Sequence, residues 1–264
     1  MSPYIYAVSD IHGCYNEMLE TLKLVDLDSN ENKLILLGDY VGRGLDTCKV
    51  LYHIKSLEEK YSKNKVITLL GNHDELFIEW YTSLNSLQWF FQDTPNLITS
   101  RSFLTSEQLE YILRNSENTV SMNKIIKTEI TKNHSELLRW FADKKKESRF
   151  YENKEQIFVH AGICEEDEEL WKYSTSLDEF TCKYPAETGA FYKNIIAGHI
   201  WSDEVSNDSS YLGKVFWDKF NHFYIDGNTL KSHIVPLLKY DTELKIYSSY
   251  YKCENRKWIE YNII

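Results

Sequence analysis

Five short apolar runs in the chain end on residues that hold metal ions: Val8-Ser9-Asp10-Ile11-His12, Leu37-Gly38-Asp39, Leu70-Gly71-Asn72-His73, Val159-His160 and Ala197-Gly198-His199. Aspartate and asparagine offer hard oxygen and histidine offers borderline nitrogen. That donor set suits manganese, iron, zinc or magnesium better than a thiolate-bound structural zinc does. A lone Asp after a strand is usually a turn former or helix cap, and a lone His is usually a hydrogen-bonded core residue. Five such ends in one chain point instead to a polynuclear metal site assembled by the fold. Two divalent ions roughly 3.5 to 4 Å apart can clamp the attacking and the leaving oxygen of a phosphoryl displacement. Gly13, Gly38, Gly71, Gly162 and Gly198 stand beside these ligands and let the backbone come close to the ions.

The elements that position these residues alternate between strand and helix. Tyr4 to Ser9, Lys33 to Leu37 and Lys65 to Leu70 read as strands. Between them, Met18, Leu19, Leu22 and Val25, then Val50, Leu51, Ile54 and Leu57, recur at helical spacing. The alternation predicts an α/β architecture. From about residue 75 to 151 the chain reads as a mostly helical insertion in a single domain of residues 1–264. Thr105 with Gln108 forms a capping-box pattern, and Ser135 precedes an amphipathic stretch from Glu136 to Lys145. Packing accounts for the aromatics there (Trp80, Tyr81, Trp89, Phe90, Phe91, Trp140, Phe141), and a cap lining a substrate cleft is the alternative. Strands return at Gln156 to Val159, Asn194 to Ala197 and His222 to Ile225, the last closing at Asp226-Gly227. A β-hairpin over Leu244 to Ile263 turns near Glu254-Asn255, and the acidic run Glu165 to Glu169 reads as a solvated loop.

Composition narrows the function. The net charge of −10 over 264 residues, with no basic patch, argues against polymeric nucleic acid and anionic membranes as partners. An anionic substrate then needs local help from metal ions or arginine. No stretch has the length of a membrane span or the form of a secretory leader, and the five cysteines form no CxxC pair. The expected location is the cytoplasm, with free thiols.

The segments Ser9-Asp10-Ile11-His12-Gly13, Gly38-Asp39-Tyr40-Val41-Gly42-Arg43-Gly44, Gly71-Asn72-His73-Asp74, His160-Ala161-Gly162 and Gly198-His199 together resemble the ordered signature of calcineurin-like metallophosphoesterases, in their phosphoprotein phosphatase branch. The likeness is dense over about the first 80 residues and then rests on His160 and His199. It implies a four-layer α/β/β/α sandwich of two mixed sheets. It also implies that Asp10 and His12 hold one ion, that Asp39 bridges, and that Asn72, His160 and His199 hold the second. Two divalent ions are implied, manganese first. Arg43 would grip the phosphate alongside Asn72, and His73 would protonate the leaving group.

Two departures from that signature matter. Protein phosphatases of this branch carry an Asp at the position of Gly42, where it pairs with the catalytic His; Asp74 or Asp203 are the carboxylates that could serve instead. They also place a second arginine between the last two histidine ligands, where this chain has only Lys172, Lys183 and Lys193, with Lys172 the candidate substitute. The symmetric diadenosine tetraphosphate hydrolases of the branch share the Gly42 departure, the Asp10 to Cys14 pattern and Asp74. Tyr40-Val41, and Leu45 where those hydrolases carry Pro after Gly44, lean the other way, and the implied activity is phosphomonoester hydrolysis of the serine/threonine phosphatase type. Dinucleoside polyphosphate hydrolysis is the alternative, and a catalytically weak metal-containing phosphate-binding protein is a third reading. The implied partner is a phosphorylated protein or a nucleotide.

Overall fold

The computed structural model describes residues 3–29, 31–83, 86–94, 96–253, 255 and 257–264. Its strands are β1 (Tyr4–Val8), β2 (Lys33–Leu36), β3 (Val66–Thr68), β4 (Phe150–Glu152), β5 (Gln156–Val159), β6 (Asn194–Trp201), β7 (Phe216–Trp217), β8 (His222–Asp226), β9 (Leu238–Asp241), β10 (Ile246–Lys252) and β11 (Trp258–Asn262). One six-stranded sheet has the order β11-β10-β9-β1-β2-β3, and a five-stranded sheet has the order β4-β5-β6-β8-β7. Both are mixed. β1, β2 and β3 run parallel, as do β5, β6 and β8, while the flanking strands pair antiparallel.

The period-2 alternation of β side chains places two apolar faces on each sheet. In the first sheet Tyr6, Val8, Leu34 and Leu36 pack under helices, including Tyr15–Leu22 and Thr47–Tyr61. Ile5, Ala7, Ile35 and Leu37 turn the other way, against Phe158, Ile196, Phe223 and Ile225 of the second sheet. The outer face of that sheet, with Ile157, Val159, Ile195 and Ala197, is covered by Trp171 and Phe180 of two short helices, Trp171–Ser174 and Leu177–Cys182. Helix, sheet, sheet and helix form the four layers that the resemblance implies.

Between β3 and β4 the chain is helical: Asn72–Thr82, Gln88–Asp93, Ile98–Arg101, Ser106–Asn115 and Thr119–Asp143. The first of these begins at Asn72, and the expected limit at residue 151 falls inside β4. The Thr105–Gln108 capping box is present, with Gln108 N donating to Thr105 Oγ1 at 3.2 Å and Thr105 N to Gln108 Oε1 at 2.9 Å. Ser135 lies just past a kink at His134 (φ −129°) that divides the run Thr119–Asp143, capped by Asn118, into two helices, and the expected amphipathic stretch from Glu136 forms the second. The aromatics mostly pack: Trp80, Trp89, Phe90 and Phe141 are buried, whereas Phe91 is 56% exposed. The layer is bolted to the core by Trp140 Nε1, which donates to Glu58 Oε2 at 2.9 Å, and by a buried Lys144–Glu58 ion pair.

β10 and β11 form the expected terminal hairpin, paired from Ser248 with Asn262 to Lys252 with Trp258. Glu254, at its expected turn, lies outside the described residues. Glu165 departs from the expected solvated loop: both of its carboxylate oxygens lie 3.1 Å from Nε2 of the buried His222, whose Nδ1 lies 3.1 Å from Asp218 Oδ2. All five cysteines are free. Among the described residues no helix is long and apolar enough to cross a membrane.

Candidate metal centre

Because β1, β2 and β3 run parallel in one sheet and β5 and β6 run parallel in the sheet facing it, all five ligand-bearing ends emerge at one edge of the sandwich. Ligands at the carboxyl ends of parallel strands follow from that topology. The loops there are tied together by backbone bonds: Asp10 N donates to Gly38 O at 3.0 Å, His12 N to Asp39 O at 2.8 Å, and Gly198 N to His160 O at 2.8 Å. The β6–β8 register slips between Ala197 and Trp201, a bulge that re-aims His199 toward the edge. Close approach sets the residue type at two glycines. A Cβ on Gly71 would lie 2.1 Å from Asp39 Oδ1, and one on Gly198 would lie 2.1 Å from Ser9 Oγ and 2.2 Å from Asp10 Oδ2.

Asp39 is central. Its Oδ1 accepts from His73 N at 3.0 Å, and its Oδ2 lies 3.6 Å from His12 Nε2 and 3.5 Å from His160 Nε2. His12 Nδ1 donates to Val41 O at 2.9 Å and His160 Nδ1 donates to Leu37 O at 3.1 Å. Since a carbonyl only accepts, the proton sits on Nδ1 in both rings and each Nε2 presents a lone pair toward the carboxylate. Lone pairs facing one another at that distance repel unless a cation lies between them. Asn72 Oδ1 joins the second face, 3.3 Å from His160 Nε2. Asp10 Oδ2 accepts from His199 N at 3.0 Å, while its buried Oδ1, 3.8 Å from His12 Nε2, has no hydrogen-bond partner among the described residues.

The donor set therefore fits divalent cations. Two groups have donor atoms within 4.8 Å of one another, His12 with Asp39 and His73, and Asp39 with His160 and His199. Asp39 belongs to both. Burial, then Arg43, lowers His12 to about 3 and His73 to about 4; burial, then His160, lowers His199 to about 4. Burial also lowers His160. All four rings are thus neutral at pH 7, the form in which imidazole binds a metal. Burial and then the Asp10 charge push the Asp39 carboxyl well up, a repulsion that a shared cation relieves.

Asn72 and His73 start an 11-residue helix, so its positive N-terminal end faces the site, an end that favours anions. His73 and the exposed Arg43 border a cleft of about 260 Å³ whose far wall comes from the helical layer. A Cβ at Gly42 would lie 3.3 Å from His73 Nδ1, so the missing carboxylate would have stood against that ring. Neither proposed substitute takes its place. Asp74 spends both oxygens on backbone donors: Oδ2 accepts from Asp39 N at 2.7 Å and Gly71 N at 3.0 Å, and Oδ1 from Tyr40 N at 2.9 Å and Val41 N at 3.2 Å. Asp203, on the turn of helix after β6, makes no bond to His73 among the described residues. Lys172, the candidate for the second arginine, is paired with Glu152, as is Lys193; Lys183 is paired with Glu187.

A sequence profile described as calcineurin-like phosphoesterase matches residues 3–201, about three-quarters of the chain. The chain belongs to that family. The match ends just beyond His199, so all five ligand-bearing ends of this phosphoesterase lie inside it. Over 70 residues it is 47% identical to a symmetrical bis(5'-nucleosyl)-tetraphosphatase of Nitrosospira multiformis, covering 26% of the chain and 24% of that protein. Over 108 residues it is 32% identical to the protein of the same description from Buchnera aphidicola, covering 41% and 34%. The phosphoesterase thus matches only about a quarter to a third of the length of these curated relatives. A cold-active protein tyrosine phosphatase of a Shewanella species has the same fold, with a TM-score of 0.56 at 14% identity over 97% of this chain and 80% of that one.

Two residues of the phosphoesterase site escape a reading by motif. Asp74 works as the clip for the Asp39 loop. Asp226 ends the apolar strand β8 and is followed by Gly227, whereas Asp39 is preceded by Gly38; it binds its own loop, accepting from Asn228 N at 2.8 Å. Burial and then the Asp10 charge push its carboxyl up.

Proposed function

We propose that this phosphoesterase is a binuclear metal-dependent phosphomonoesterase that hydrolyses phosphoserine and phosphothreonine. The observation that carries this reading is the single Asp39 oxygen flanked by two histidine lone pairs, with Arg43 and His73 beside it. Asp10, His12 and Asp39 would hold one ion, and Asp39, Asn72, His160 and His199 the other, with manganese the metal of choice for this donor set. Bound there, the ions supply Lewis acidity and acidify water to a pKa of about 7. Arg43 clamps the phosphate oxygens through its planar fork, aided by the helix N-terminus at Asn72. Arrival of a phosphate dianion raises the depressed pKa of His73. The ring then takes up a proton from solvent and donates it to the leaving oxygen as general acid.

The 47% identity to a symmetrical bis(5'-nucleosyl)-tetraphosphatase over 70 residues favours a second reading, hydrolysis of diadenosine tetraphosphate. Purified protein loaded with manganese is to be given a phosphopeptide and diadenosine tetraphosphate at equal concentration. A kcat/KM at least tenfold higher for the phosphopeptide is expected, with Asp39→Asn inactive on both. Preference for the dinucleotide would transfer the assignment to the second reading. Tight phosphate binding without turnover of either would make the chain a phosphate-binding protein.

A further inference from the structure

The cleft beside His73 has two walls of different origin. One carries Gly42, Arg43 and His73; the other is lined by Gln92, Asp93, Thr94, Asn96, Ile98 and Thr99, supplied by the helical layer. A group that protonates the leaving oxygen must face the leaving group, so whatever leaves extends from His73 into this space. That second wall is held in shape by the buried Asp93 carboxylate, which accepts from Thr99 N at 2.7 Å, Ser100 N at 3.0 Å and Ser100 Oγ at 2.5 Å. Its oxygens are thereby occupied by donors from Thr99 and Ser100. Trp89, packed edge-on against Phe77 with ring centroids 4.9 Å apart, gives the cleft a rigid apolar floor.

What remains to meet a ligand is uncharged: the exposed Gln92 and Asn96, with Thr94 half-buried between them. Among the described residues that line the cleft the one permanent cation is Arg43, already committed to the phosphoryl group that is transferred. A nucleoside diphosphate leaving here would carry several negative charges past a wall with no cation to receive them. A volume of about 260 Å³ also falls below the roughly 300–1,000 Å³ of pockets for drug-sized ligands. Side-chain amides both donate and accept, as the backbone amides of a peptide do.

We infer that the wall bearing Gln92 and Asn96 and the Arg43–His73 edge together form a leaving-group subsite, in which Gln92 and Asn96 recognise the backbone of a peptide carrying the phosphorylated serine or threonine. This rests on the phosphomonoesterase reading and adds specificity-determining residues to it. The reaction itself is unchanged: the phosphorus–oxygen bond to the serine or threonine side chain breaks, water supplies the new oxygen, and the alcohol leaves with the proton from His73.

The test compares wild-type protein and the double variant Gln92→Ala with Asn96→Ala, both manganese-loaded, on a phosphopeptide and on p-nitrophenyl phosphate. Both side chains are exposed, and equal melting temperatures verify that the variant is folded. Losing two hydrogen bonds to a peptide lowers kcat/KM for the phosphopeptide about tenfold, chiefly through KM, and leaves the aryl phosphate within about twofold. A phosphonate analogue of the peptide, which cannot be hydrolysed, binds the variant about tenfold more weakly. An unchanged ratio of the two rates overturns the subsite while leaving the phosphomonoesterase reading intact. Selective loss of diadenosine tetraphosphate hydrolysis overturns it in favour of a nucleotide in the cleft. No turnover of the aryl phosphate by wild-type protein removes the reading beneath it.

Discussion

Replacing Asp74 by Asn keeps the size of the side chain and removes half of its accepting capacity. The carboxylate meets four backbone N–H groups, two on each oxygen, from Asp39, Gly71, Tyr40 and Val41. Burial, then the Asp39 charge, push this carboxyl up against the pull of those donors. A proton on either oxygen would meet an N–H instead of an acceptor, so the bonded form is the carboxylate. Asn retains one oxygen and turns an NH₂ toward the other two donors. Each hydrogen bond to a charged acceptor contributes about 1.5–3 kcal/mol, so the change costs roughly 3–6 kcal/mol, a large part of a total of about 5–15 kcal/mol. At about 2–4 °C per kcal/mol for a chain approaching this size, the melting midpoint falls by roughly 6–24 °C. Circular dichroism melts in excess chelator separate this effect from metal binding. The same three residues 39–41 also carry the carboxylate proposed to bridge the ions and the carbonyl that orients His12, so metal affinity is expected to drop alongside. If the variant melts within about 3 °C of wild type but shifts the pH dependence of kcat, Asp74 serves His73 and the assignment as a loop clip is wrong.

Metal removal by chelator lowers the melting midpoint by roughly 5–10 °C when the free ion had stood at about 100 times its Kd, because such binding adds about 2.7 kcal/mol. A melt unmoved by chelator would deny a resident ion. Gly71→Ala and Gly198→Ala each drive a methyl group to within 2.1 Å of a side-chain oxygen, Asp39 Oδ1 and Ser9 Oγ respectively, and elemental analysis is expected to find less than one bound ion in place of two. Two retained equivalents in either variant would refute the packing argument. At His222 burial opposes the charge, but Glu165 and then Asp218 outweigh it, so its pKa lies above the ordinary value of about 6.5. Its stabilising contribution is therefore full below about pH 6.5 and fades as pH rises through the folded value. The gap in melting temperature between wild type and His222→Gln is expected to be wide at about pH 5.5 and to narrow above neutrality; a gap constant with pH would contradict the ion pair.

The metal-facing residues are legible in sequence because each depends on a local pattern, an apolar strand that stops on Asp, Asn or His. The parallel order that gathers those ends is a tertiary fact, yet it follows once the strands alternate with helices. Asp74 is not legible in this way. Its donors come from residues 39–41, more than thirty positions earlier, and no spacing within the chain announces that meeting. A local reading therefore pairs it with its neighbour His73. The helical run Thr119–Asp143 is divided by a kink at His134, so the amphipathic stretch that Ser135 precedes is legible as a helix of its own. β9 pairs only four residues and begins two positions after Pro236, which weakens any strand signal. Gln92 and Asn96 carry no pattern at all, since exposed amides on a turn look like any polar loop until the cleft wall opposite them is known.

The backbone at the site has a consequence for the stability of the protein without its ions. Asp10, His12, Asp39, Arg43 and His199 all sit at positive φ, between 47° and 66°. A non-glycine residue there costs about 1 kcal/mol or more, so five of them store several kcal/mol in the loops that meet at one edge. The ligands are held in place before any cation arrives, and that readiness is drawn from the stability of the rest of the sandwich. Selection for heat resistance without selection for catalysis would thus favour glycine at these five positions first. A thermostable descendant of this chain that had lost its metal would carry its record of that loss in new glycines at the tips of its strands.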